Sequence, residues 1–549
     1  MYRSFVKKPK AVAMPSTNEA TTSTAGGKKR HSLVPLLLVF LSLAVSLSLI
    51  VQFLDLGTAT IDKTVSTVVM QHERPYNYSD VKTRSLCYAQ RDVGILAAVN
   101  KSARTFCGDG GWDSVHQAPM SAKKATKITM YEAKGGIKTA TFQNLMLDLY
   151  GVQIHKPIES VAQDGGDHNP LFRYNPIIVN CACDELANYF LSITNLKKRW
   201  AKQIWQLHLE ALPKRGNATE TFCLPSRAAK SRRSLWDFVK DPLQPPDPNK
   251  LIVFEDPVVL ITRRDDHNPF FQISVAFNSW IMLQVLGWDV TKTRVIHFDG
   301  GFPSPIDALH QQLLAPNFPI IKGTSLMGKR VHFRGSVVIA PYESRGPLME
   351  HLNNDEPCHD SALIKSFRAQ SLVALNVTPE MERELADTSR RPMIVTVITR
   401  RPIRGRTLQR MWVNEDEILA LMRIQYKSLN VLIRSVEYAN LTLYDQITTT
   451  IESDMIVGMH GAGLVNVLWT RPGTTVVEIF PKLKFRWGYR NLCQFLGCDW
   501  HEFRGGEDLG PDPAPETKNK RIIYDEWMTF FHPLFNEMYT AYLRRRASD

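Results

Sequence analysis

From residue 251 onward, short apolar runs rich in β-branched residues alternate with longer stretches in which apolar residues recur every three or four positions. The first pattern is typical of strands and the second of amphipathic helices. The runs predicted as strands are 251–263, 293–299, 335–341, 393–400, 430–436, 454–460 and 474–481. The stretches predicted as helices are 270–287, 306–315, 359–375, 414–425, 443–453 and 524–546. This alternation predicts an α/β fold of βαβ units, arranged as two nucleotide-binding-type domains that face one cleft.

One apolar segment is longer than all of these. Residues 33–54, LVPLLLVFLSLAVSLSLIVQFL, contain no charge in 22 positions, which is enough to cross a membrane as a helix. Because basic residues precede the segment, we expect a cytoplasmic N-terminus and a luminal or extracellular chain after Asp55. A cleaved signal peptide is the alternative, although its apolar region is normally only about 7 to 15 residues long.

Composition and pattern predict how the chain is divided into segments and domains. Residues 1–32 are predicted to be a cytoplasmic tail, 33–54 a transmembrane signal-anchor and 55–80 a stem. Residues 81–380 are assigned to an N-terminal domain that includes an irregular Cys-bearing region, a helix over 188–212 and a linker at 229–250. Residues 381–549 are assigned to a C-terminal domain, whose last helix is predicted to pack back across the first domain.

A net charge of +13 raises the question of nucleic-acid binding. Seven basic residues and one acid lie in residues 1–32, so this tail alone contributes six of the thirteen charges. Basic residues beside an anchor orient it in the membrane. The basic cluster at 230–233 has no interleaved aromatic residues of the kind that stack on bases. We therefore expect no nucleic-acid partner.

Two further features agree with passage through the secretory pathway. Five N-x-S/T acceptor sites all follow the anchor: Asn77, Asn100, Asn217, Asn376 and Asn440. All eight cysteines also follow it, and none forms a C-x-x-C pair with zinc-ligand spacing, so disulfides are their expected use. Cys493 and Cys498 are close enough in sequence to pair locally, and two buried free thiols are the alternative.

The apolar run at 455–481, MIVGMHGAGLVNVLWTRPGTTVVEIFP, is interrupted at His460-Gly461-Ala462-Gly463. In open parallel sheets, ligands bind where a strand ends and the next helix begins. Glycines permit a sharp turn and a close approach there, and the start of the following helix attracts phosphate. The break therefore predicts a cradle for a diphosphate, with a tight turn that binds nothing as the alternative. Neither the dinucleotide fingerprint nor the P-loop motif is present.

Other polar residues end neighbouring strands at the same predicted edge. Glu478 ends the next strand, where a carboxylate could accept both hydroxyls of a ribose; a solvated carboxylate is the alternative. Arg400 and Arg401 end the strand at 393–400, and Arg410 follows them. Because guanidinium groups bind phosphate oxygens in pairs of hydrogen bonds, these arginines are candidates for the same diphosphate, with a basic surface loop as the alternative. The chain has no Asp-x-Asp triplet to chelate a divalent ion, so we expect no metal.

Together, R-R at 400–401, N-E-D-E at 414–417, G-M-H-G-A-G-L at 458–464 and the glutamate at 478 resemble glycosyltransferase family 61. The similarity extends over about residues 255–505. The family includes plant core β-1,2-xylosyltransferases, xylan arabinosyl- and xylosyltransferases and animal O-linked N-acetylglucosaminyltransferases, and ITRR, QRMWVNEDEI and PGTTVVEI look most like the core xylosyltransferase branch. The resemblance implies a GT-B-like fold of two facing Rossmann-like domains, a UDP-sugar donor, inversion at the anomeric carbon and no essential metal.

Carried onto this chain, the resemblance implies that 381–549 bind the nucleotide-sugar and 81–380 lie on the acceptor side. Arg400 or Arg401 would hold the diphosphate with Arg410 and Asn414. Backbone amides would hold it from the other side, at Gly461, Ala462, Gly463 and Leu464. His460 would shape the turn or touch a phosphate, with catalytic base as the less favoured role, and Glu478 would bind the ribose.

The chain departs from the family pattern at one position. Many relatives carry Asn-x-x-His at the start of the first-domain helix that faces the cleft, whereas here Asn268 is followed by Phe271 in the place of the histidine. An inverting transfer needs a base within hydrogen-bond reach of the acceptor hydroxyl. Asp265 or Asp266 is the predicted base, and the other nearby candidates are His267 and Glu343.

These observations predict a single-pass type II membrane protein of the Golgi or endoplasmic reticulum with a luminal catalytic part. We expect it to move xylose or N-acetylglucosamine from UDP to a hydroxyl of a glycan or glycoprotein. Its expected partners are the UDP-sugar, the acceptor and the membrane, and no cofactor is expected. A catalytically inactive, membrane-anchored glycan-binding protein of the same fold is the alternative, which the missing histidine favours.

Overall fold

A computed structural model describes residues 81–106, 111–113, 118–120, 126–133, 136–149, 177–179, 209–211, 251–263, 268–341, 346–350, 358–401, 409–510 and 518–548. The predicted tail, membrane anchor and stem, and the linker at 229–250, lie outside these residues. Across the described ranges the protein is a mixed α/β structure with one sheet of ten strands and one of five. The domain boundaries themselves stay a prediction.

The described chain before residue 251 forms one side of the ten-stranded sheet. Its helices are α1 (Val81–Arg91) and α2 (Gly94–Lys101). Its strands are β1 (Arg104–Phe106), β2 (Gly111–Asp113), β3 (Ala118–Met120), β4 (Lys127–Glu132), β5 (Lys138–Asp148), β6 (Ile177–Val179) and β7 (Leu209–Ala211). Strand β4 pairs antiparallel with both β1 and β5, while β2 and β3 form a separate hairpin. A helix was predicted over 188–212, but its C-terminal end is strand β7, so the prediction is wrong there. Residues 188–208 and 212 lie outside the described ranges.

The parallel part of this sheet follows the predicted βαβ alternation. Its strands are β8 (Leu251–Phe254), β9 (Val258–Ile261), β10 (Arg294–His297), β11 (Ile321–Lys322) and β12 (Arg330–Ile339). The helices of this region are α3 (Pro269–Leu286), α4 (Asp307–Leu314), α5 (Pro347–Glu350), α6 (Ala362–Ala374) and α7 (Pro379–Ala386), with 3-10 turns at Val290–Lys292 and Gly323–Leu326. Strand β12 pairs in parallel with β8 and β9 and antiparallel with β5, which joins the two parts into one sheet.

Helix α3 is mostly buried, and its apolar side chains belong to a cluster that contains residues of both sheets. The Asn268 side-chain oxygen caps it by accepting hydrogen bonds from the amides of Phe270 (3.1 Å) and Phe271 (3.4 Å). Gly287, with a φ of 63°, ends the helix in the left-handed conformation that glycine adopts readily. Among the described helices, α3 alone is long and apolar enough to cross a membrane, but 72% of its 18-residue window is buried inside the protein. It is therefore a core helix.

The five-stranded sheet is parallel throughout, in the order β14-β13-β15-β16-β17. Its strands are β13 (Met393–Ile398), β14 (Val431–Val436), β15 (Met455–Met459), β16 (Thr475–Ile479) and β17 (Asp499–Phe503). Its helices are α8 (Glu415–Gln425), α9 (Leu443–Glu452), α10 (Gly488–Leu496) and α11 (Tyr524–Ser548), with 3-10 helices at Tyr438–Asn440 and Ala462–Trp469. A small hairpin, β18 (Glu507–Leu509) with β19 (Asn519–Arg521), precedes α11. Every residue of β13, β15 and β16 is buried, as expected for parallel strands covered on both faces.

The strand order reverses between β13 and β15. From β13 the chain runs to β14 on one side, and it then crosses to β15 on the other side of β13. In open α/β sheets the crevice outside the carboxyl ends of two such strands is the place where ligands bind. The two strands end at Ile398 and Met459. Arg400 and His460, which were predicted to bind the ligand, therefore lie just after these strand ends, beside the crevice.

Apolar clusters fill both faces of each sheet. One cluster contains side chains of both sheets and includes Phe277 and Trp280 of α3 together with Leu468 and Trp469 of the 3-10 helix Ala462–Trp469. A second cluster lies on the ten-stranded sheet alone. The third joins the five-stranded sheet to α11, through Trp527, Phe531, Phe535, Met538 and Tyr542. Helix α11 therefore packs on the five-stranded sheet through these side chains, and its packing across the first domain stays a prediction.

Two disulfides lie in the described ranges. Cys493 pairs with Cys498, as the local alternative predicted, and Cys87 pairs with Cys358 across 271 residues of sequence. The second bond ties α1 to the segment before α6. Its neighbourhood is reinforced by the Asp92 carboxylate, which accepts a hydrogen bond from the amide of Leu363 (2.8 Å). No described cysteine is a free thiol.

Candidate functional site

Arg400 lies just after the buried strand β13. The amide of the preceding Thr399 donates to the carbonyl of Val436 (2.9 Å), and the Thr399 hydroxyl is hydrogen-bonded to Glu415 and Ser435. From this fixed strand end, Nη1 of Arg400 donates to the backbone carbonyl of His460 (2.9 Å). The strand thus delivers one guanidinium group to the turn that follows β15.

Arg410 reaches the same carbonyl from a separate stretch of chain. Its Nε donates to the His460 oxygen (3.0 Å), so two guanidinium groups converge on one backbone atom. The backbone of Arg410 has a φ of 58°, in the left-handed region that a residue with a large side chain rarely adopts. Backbone strain of this kind persists where the surrounding structure enforces it and is concentrated at functional sites.

The side chain of His460 is buried beside the turn and is only 7% exposed. Its Nδ1 lies 2.5 Å from Oε1 of Glu478, and its ring stacks on Phe480 with 4.9 Å between the centroids. Trp500 donates from Nε1 to the other carboxylate oxygen of Glu478 (2.9 Å). The His460 amide donates to the carbonyl of Ile479 (2.8 Å), which joins the turn to β16. The histidine is therefore held through both its backbone and its ring.

Burial sets the ionisation of this pair. It raises the pKa of Glu478 to about 8, although the Trp500 hydrogen bond acts in the opposite direction. Burial, and then the positive charges of Arg410, Lys484, Arg400 and Arg486, lower the pKa of His460 well below its usual value. At neutral pH a protonated Glu478 therefore donates to Nδ1 of a neutral His460, whose own proton is on Nε2. This arrangement makes His460 a poor base, because Nδ1 is occupied and the ring resists protonation.

Lys484 and Arg486 are two charged residues that the sequence reasoning missed. They lie between β16 and α10, Lys484 is buried, and both act electrostatically on His460. The available signal was a basic residue at every second position, 482, 484 and 486, directly after a strand end. We call Arg400, Arg410, Lys484 and Arg486 the cation cluster. All four charges act on the histidine of the turn at the strand-order reversal, and Arg400 and Arg410 contact the turn directly.

Gly461 makes room for Arg400. A Cβ at Gly461 would lie 2.1 Å from Nη1 of Arg400, whereas a Cβ at Gly463 would meet only Cγ2 of Ile398, at 3.5 Å. The φ of Gly461 is 169°, an extended value open to any residue, so its requirement is for space. The 3-10 helix then begins at Ala462, and the amide of Leu464 donates to the carbonyl of Gly461 (3.0 Å). The Leu464 amide is thus used inside the turn, which is a correction to its predicted phosphate contact.

Two other predicted donor-binding residues point to different partners. Nη2 of Arg401 lies 3.2 Å from both carboxylate oxygens of Asp416 at the exposed start of α8. Asn414 exchanges two hydrogen bonds of 2.9 Å with the backbone of Ile522, so its amide holds the chain before α11. Of the alternatives at the end of β13, the structure therefore brings Arg400 to the turn and leaves Arg401 and Asn414 away from it.

Glu478 is on the predicted strand, but its side chain is buried and does not face the crevice at the strand ends. It is 1% exposed, and its two oxygens are used by His460 and Trp500. The prediction that this carboxylate accepts the ribose hydroxyls is therefore corrected. The reason is that apolar clusters cover both faces of strand β16, with Val476 in one cluster and Val477 and Ile479 in another, so its side chains are buried. The carboxyl group orients the histidine of the turn.

The predicted carboxylate bases, Asp265 and Asp266, and the other candidates near them lie outside the described residues. Asp265, Asp266 and His267 follow β9, and Glu343 follows β12, its parallel neighbour. The described Asn268 is the cap of α3, and Phe271, which stands in place of the family histidine, packs against the apolar cluster shared by the two sheets. This position thus stabilises the helix start and offers no acid–base group.

A buried polar network lies at the carboxyl edge of the ten-stranded sheet. His297, Asp307 and His310 form the one group in the described chain whose ligand atoms are close enough to hold a metal ion. Nε2 of His297 lies 3.0 Å from Nδ1 of His310, and Nε2 of His310 lies 3.0 Å from the Gln272 carbonyl. Because three of the four ring nitrogens are used in these contacts, the group fits a structural link between β10, α4 and α3 better than a metal site.

Comparison with known proteins agrees with the motif analysis. The Glycosyltransferase 61 family model matches residues 207–477, a range that contains Arg400, Arg410 and the His460 turn. A beta-1,2-xylosyltransferase of Arabidopsis thaliana is 22% identical over 284 residues, which cover 45% of this chain and 51% of the relative. An EGF domain-specific O-linked N-acetylglucosamine transferase of Xenopus laevis is 27% identical over 199 residues, 35% of this chain and 34% of the relative.

The corresponding transferase of Drosophila melanogaster is 26% identical over 207 residues, which cover 37% of this chain and 34% of the relative. The chain thus spans about half the length, or less, of the curated relatives it matches. Both kinds of relative are glycosyltransferases by name. The resemblance of this chain to glycosyltransferase family 61 is confirmed, over residues 207–477.

Proposed function

We propose that this protein is an inverting glycosyltransferase with a GT-B-like fold of two facing Rossmann-like halves. It transfers a sugar from a UDP-sugar to a hydroxyl group of a glycan or glycoprotein. The family match supports glycosyl transfer, and the names of the relatives support xylose or N-acetylglucosamine as the sugar. The observation that carries the proposal is the convergence of Arg400 and Arg410 on the His460 carbonyl at the strand-order reversal.

In this proposal the cation cluster binds the diphosphate of the donor. A UDP leaving group gains negative charge as its bond to the sugar breaks, and donors already fixed around it stabilise that charge. Arginine side chains suit this role because they form short, charge-assisted hydrogen bonds to phosphate oxygens. Since side chains provide the positive charge, we propose that transfer needs no divalent metal and no cofactor. The absence of an Asp-x-Asp triplet from the sequence supports this.

The chemical step is an in-line displacement. The acceptor oxygen forms a bond to C1 of the sugar while the bond from C1 to the phosphate oxygen breaks, so that the anomeric configuration inverts. The acceptor proton passes to a carboxylate base, for which we propose Asp265 or Asp266 because they follow β9 at the carboxyl edge of the first sheet. His460 and Glu478 act by holding the turn, and the amides of Gly461, Ala462 and Gly463 are proposed to meet the diphosphate.

We further propose that the protein works in the lumen of the Golgi or endoplasmic reticulum as a type II membrane protein. Asn100, Asn376 and Asn440, the acceptor sites within the described ranges, are all exposed, as N-glycosylation requires. The Cys87–Cys358 and Cys493–Cys498 disulfides are typical of an oxidising compartment. Both features support a secretory location.

A panel of donors tests the proposed activity. The full chain, expressed in a secretory host and purified in mild detergent, is incubated with UDP-xylose, UDP-arabinose and UDP-N-acetylglucosamine, with glycan and glycoprotein acceptors and with EDTA. The expected result is release of UDP from one of these donors, undiminished by EDTA and abolished by Arg400→Ala. Release that requires added metal would contradict the metal-independent site.

An inactive glycan-binding protein is the second candidate, and Phe271 in the place of the family histidine favours it. The same preparations distinguish the two functions. Binding of glycans without UDP release from any donor would establish the binding protein and refute the enzyme. UDP release with transfer to an acceptor would establish the enzyme despite the missing histidine.

A further inference from the structure

Tyr489 lies where the two sheets meet, next to the candidate site. It belongs to the first turn of α10, and its ring packs against the His460 ring with 5.8 Å between centroids. On another side, the ring makes an edge contact with Phe270, at 5.7 Å, in the first turn of α3. Tyr489 therefore bridges the turn of the five-stranded sheet and the core helix of the ten-stranded sheet.

The hydroxyl group of Tyr489 stands out within this packed environment. The side chain is only 3% exposed, yet no described residue forms a hydrogen bond with the hydroxyl. The hydroxyl oxygen is not among the fully buried, unpaired polar atoms of the described chain, so the small exposed part of this side chain includes its donor. A ligand at the turn can therefore reach this donor, which no side chain of the described residues occupies.

The surroundings define the chemistry of that ligand. The charges of Arg400 and Arg410, both on the His460 carbonyl, act on the Tyr489 hydroxyl, as does Glu478. Burial is the largest effect and raises the pKa of Tyr489, so the phenol keeps its proton and serves as a donor. A ligand atom that meets this donor and the two arginines together must be a negatively charged acceptor.

We propose that the Tyr489 hydroxyl donates a hydrogen bond to an oxygen of the diphosphate that Arg400 and Arg410 hold. This inference rests on the proposed function, and it adds a neutral donor to the cation cluster. Its ring would position the donor, because His460 and Phe270 fix the plane of the phenol from two sides.

The test compares Tyr489→Phe with the wild-type full chain by calorimetric titration with UDP, inorganic pyrophosphate and uridine. Phenylalanine preserves both ring contacts and removes only the hydroxyl. A hydrogen bond to a charged group predicts roughly 10- to 100-fold weaker binding of UDP and pyrophosphate, with uridine binding unchanged. Tyr438→Phe is the matched control, because Tyr438 is also buried but its hydroxyl pairs with Thr450 (3.0 Å). The control is expected to bind UDP like the wild type.

The outcomes separate this inference from the function on which it rests. Wild-type binding of UDP together with equal binding by Tyr489→Phe would overturn the role of Tyr489 alone. A loss that is the same for uridine as for UDP would also overturn it, because the hydroxyl would then act on the nucleoside or on the pocket in general. A wild-type protein that binds neither UDP nor pyrophosphate would overturn the proposed function and this inference with it.

Discussion

Nδ1 of His460 and Oε1 of Glu478 lie 2.5 Å apart inside the five-stranded sheet, and this contact links the candidate turn to the strand beside it. The pair joins two residues that sequence reasoning treated as separate ligand contacts. Because Glu478 is buried and its other oxygen accepts from Trp500, the carboxyl group acts on a ligand only through the histidine. The turn is therefore held in place by a neutral, hydrogen-bonded pair of buried side chains.

The raised pKa of Glu478 predicts how the stability of the protein changes with pH. The pKa of Glu478 in the folded state, about 8, is above its ordinary value of 4.5, so the folded protein holds a proton that the unfolded chain has released between these pH values. The stability contributed by this proton is fully present below pH 4.5 and is lost as the pH rises through 8. Each pKa unit of difference corresponds to about 1.4 kcal/mol.

Glu478→Gln should remove this pH dependence, because glutamine donates to Nδ1 of His460 and accepts from Trp500 without titrating. Free energies of unfolding measured from pH 5 to 8.5 should fall more steeply for the wild type than for the variant. Glu478→Ala, which leaves both partners unsatisfied, should be less stable at every pH, by about 1 to 3 kcal/mol or more. Parallel curves for the wild type and the Gln variant would mean that Glu478 is ionised in the folded protein.

Gly461 and Gly463 offer a matched pair of substitutions. Gly461→Ala would place a methyl group 2.1 Å from Nη1 of Arg400 and so displace the guanidinium group, while Gly463→Ala makes only an ordinary contact. We expect donor affinity to fall at least about 10-fold for Gly461→Ala, as for the loss of one charged hydrogen bond. Gly463→Ala should bind the donor nearly as well as the wild type. Equal donor affinities for the two variants would show that donor binding does not depend on the present position of the Arg400 guanidinium group.

The two disulfides should differ in their effect on stability. The Cys87–Cys358 bond closes a loop of 271 residues, whereas Cys493–Cys498 spans only 5. Because a cross-link restricts the unfolded chain more when its loop is longer, Cys87→Ser with Cys358→Ser should lower stability by about 2 to 5 kcal/mol. Thermal unfolding of the two double-serine variants tests this. A larger loss for the Cys493 and Cys498 variant would contradict the expected order.

The repeating half of the fold was predictable because its strands are buried on both faces. Strands such as β13 and β15 are continuous apolar runs, and the helices between them show a 3.6-residue period, so the predicted elements after residue 251 are confirmed. The antiparallel strands β4 and β5 were missed because their region has an irregular pattern. Strand β5 is placed by its pairing with β12, in which Thr141 lies opposite Val338, and β4 pairs in turn with β5. No local pattern reveals a partner so far away in sequence.

The site was predictable in its location and only partly in its residues. Strand ends and glycines identified the turn at His460, and Arg400 and Arg410 do meet there. The same reasoning could not distinguish Arg400 from Arg401, since successive residues after a strand diverge and only the packing decides which one faces the crevice. It assigned Glu478 to a ligand because the sequence does not show that apolar clusters cover both faces of β16. Tyr489 was missed because its significance depends on contacts from both sheets.

The most direct test of the proposed diphosphate site is the affinity of the wild type, Arg400→Ala and Arg401→Ala for UDP, measured by calorimetry in the presence of EDTA. We expect the wild type to bind UDP without metal and Arg400→Ala to bind it roughly 10- to 100-fold more weakly. Arg401→Ala, which removes only an exposed contact with Asp416, should bind like the wild type. Wild-type affinity in Arg400→Ala, or UDP binding that appears only with added divalent metal, would contradict the claim that these guanidinium groups hold the leaving group.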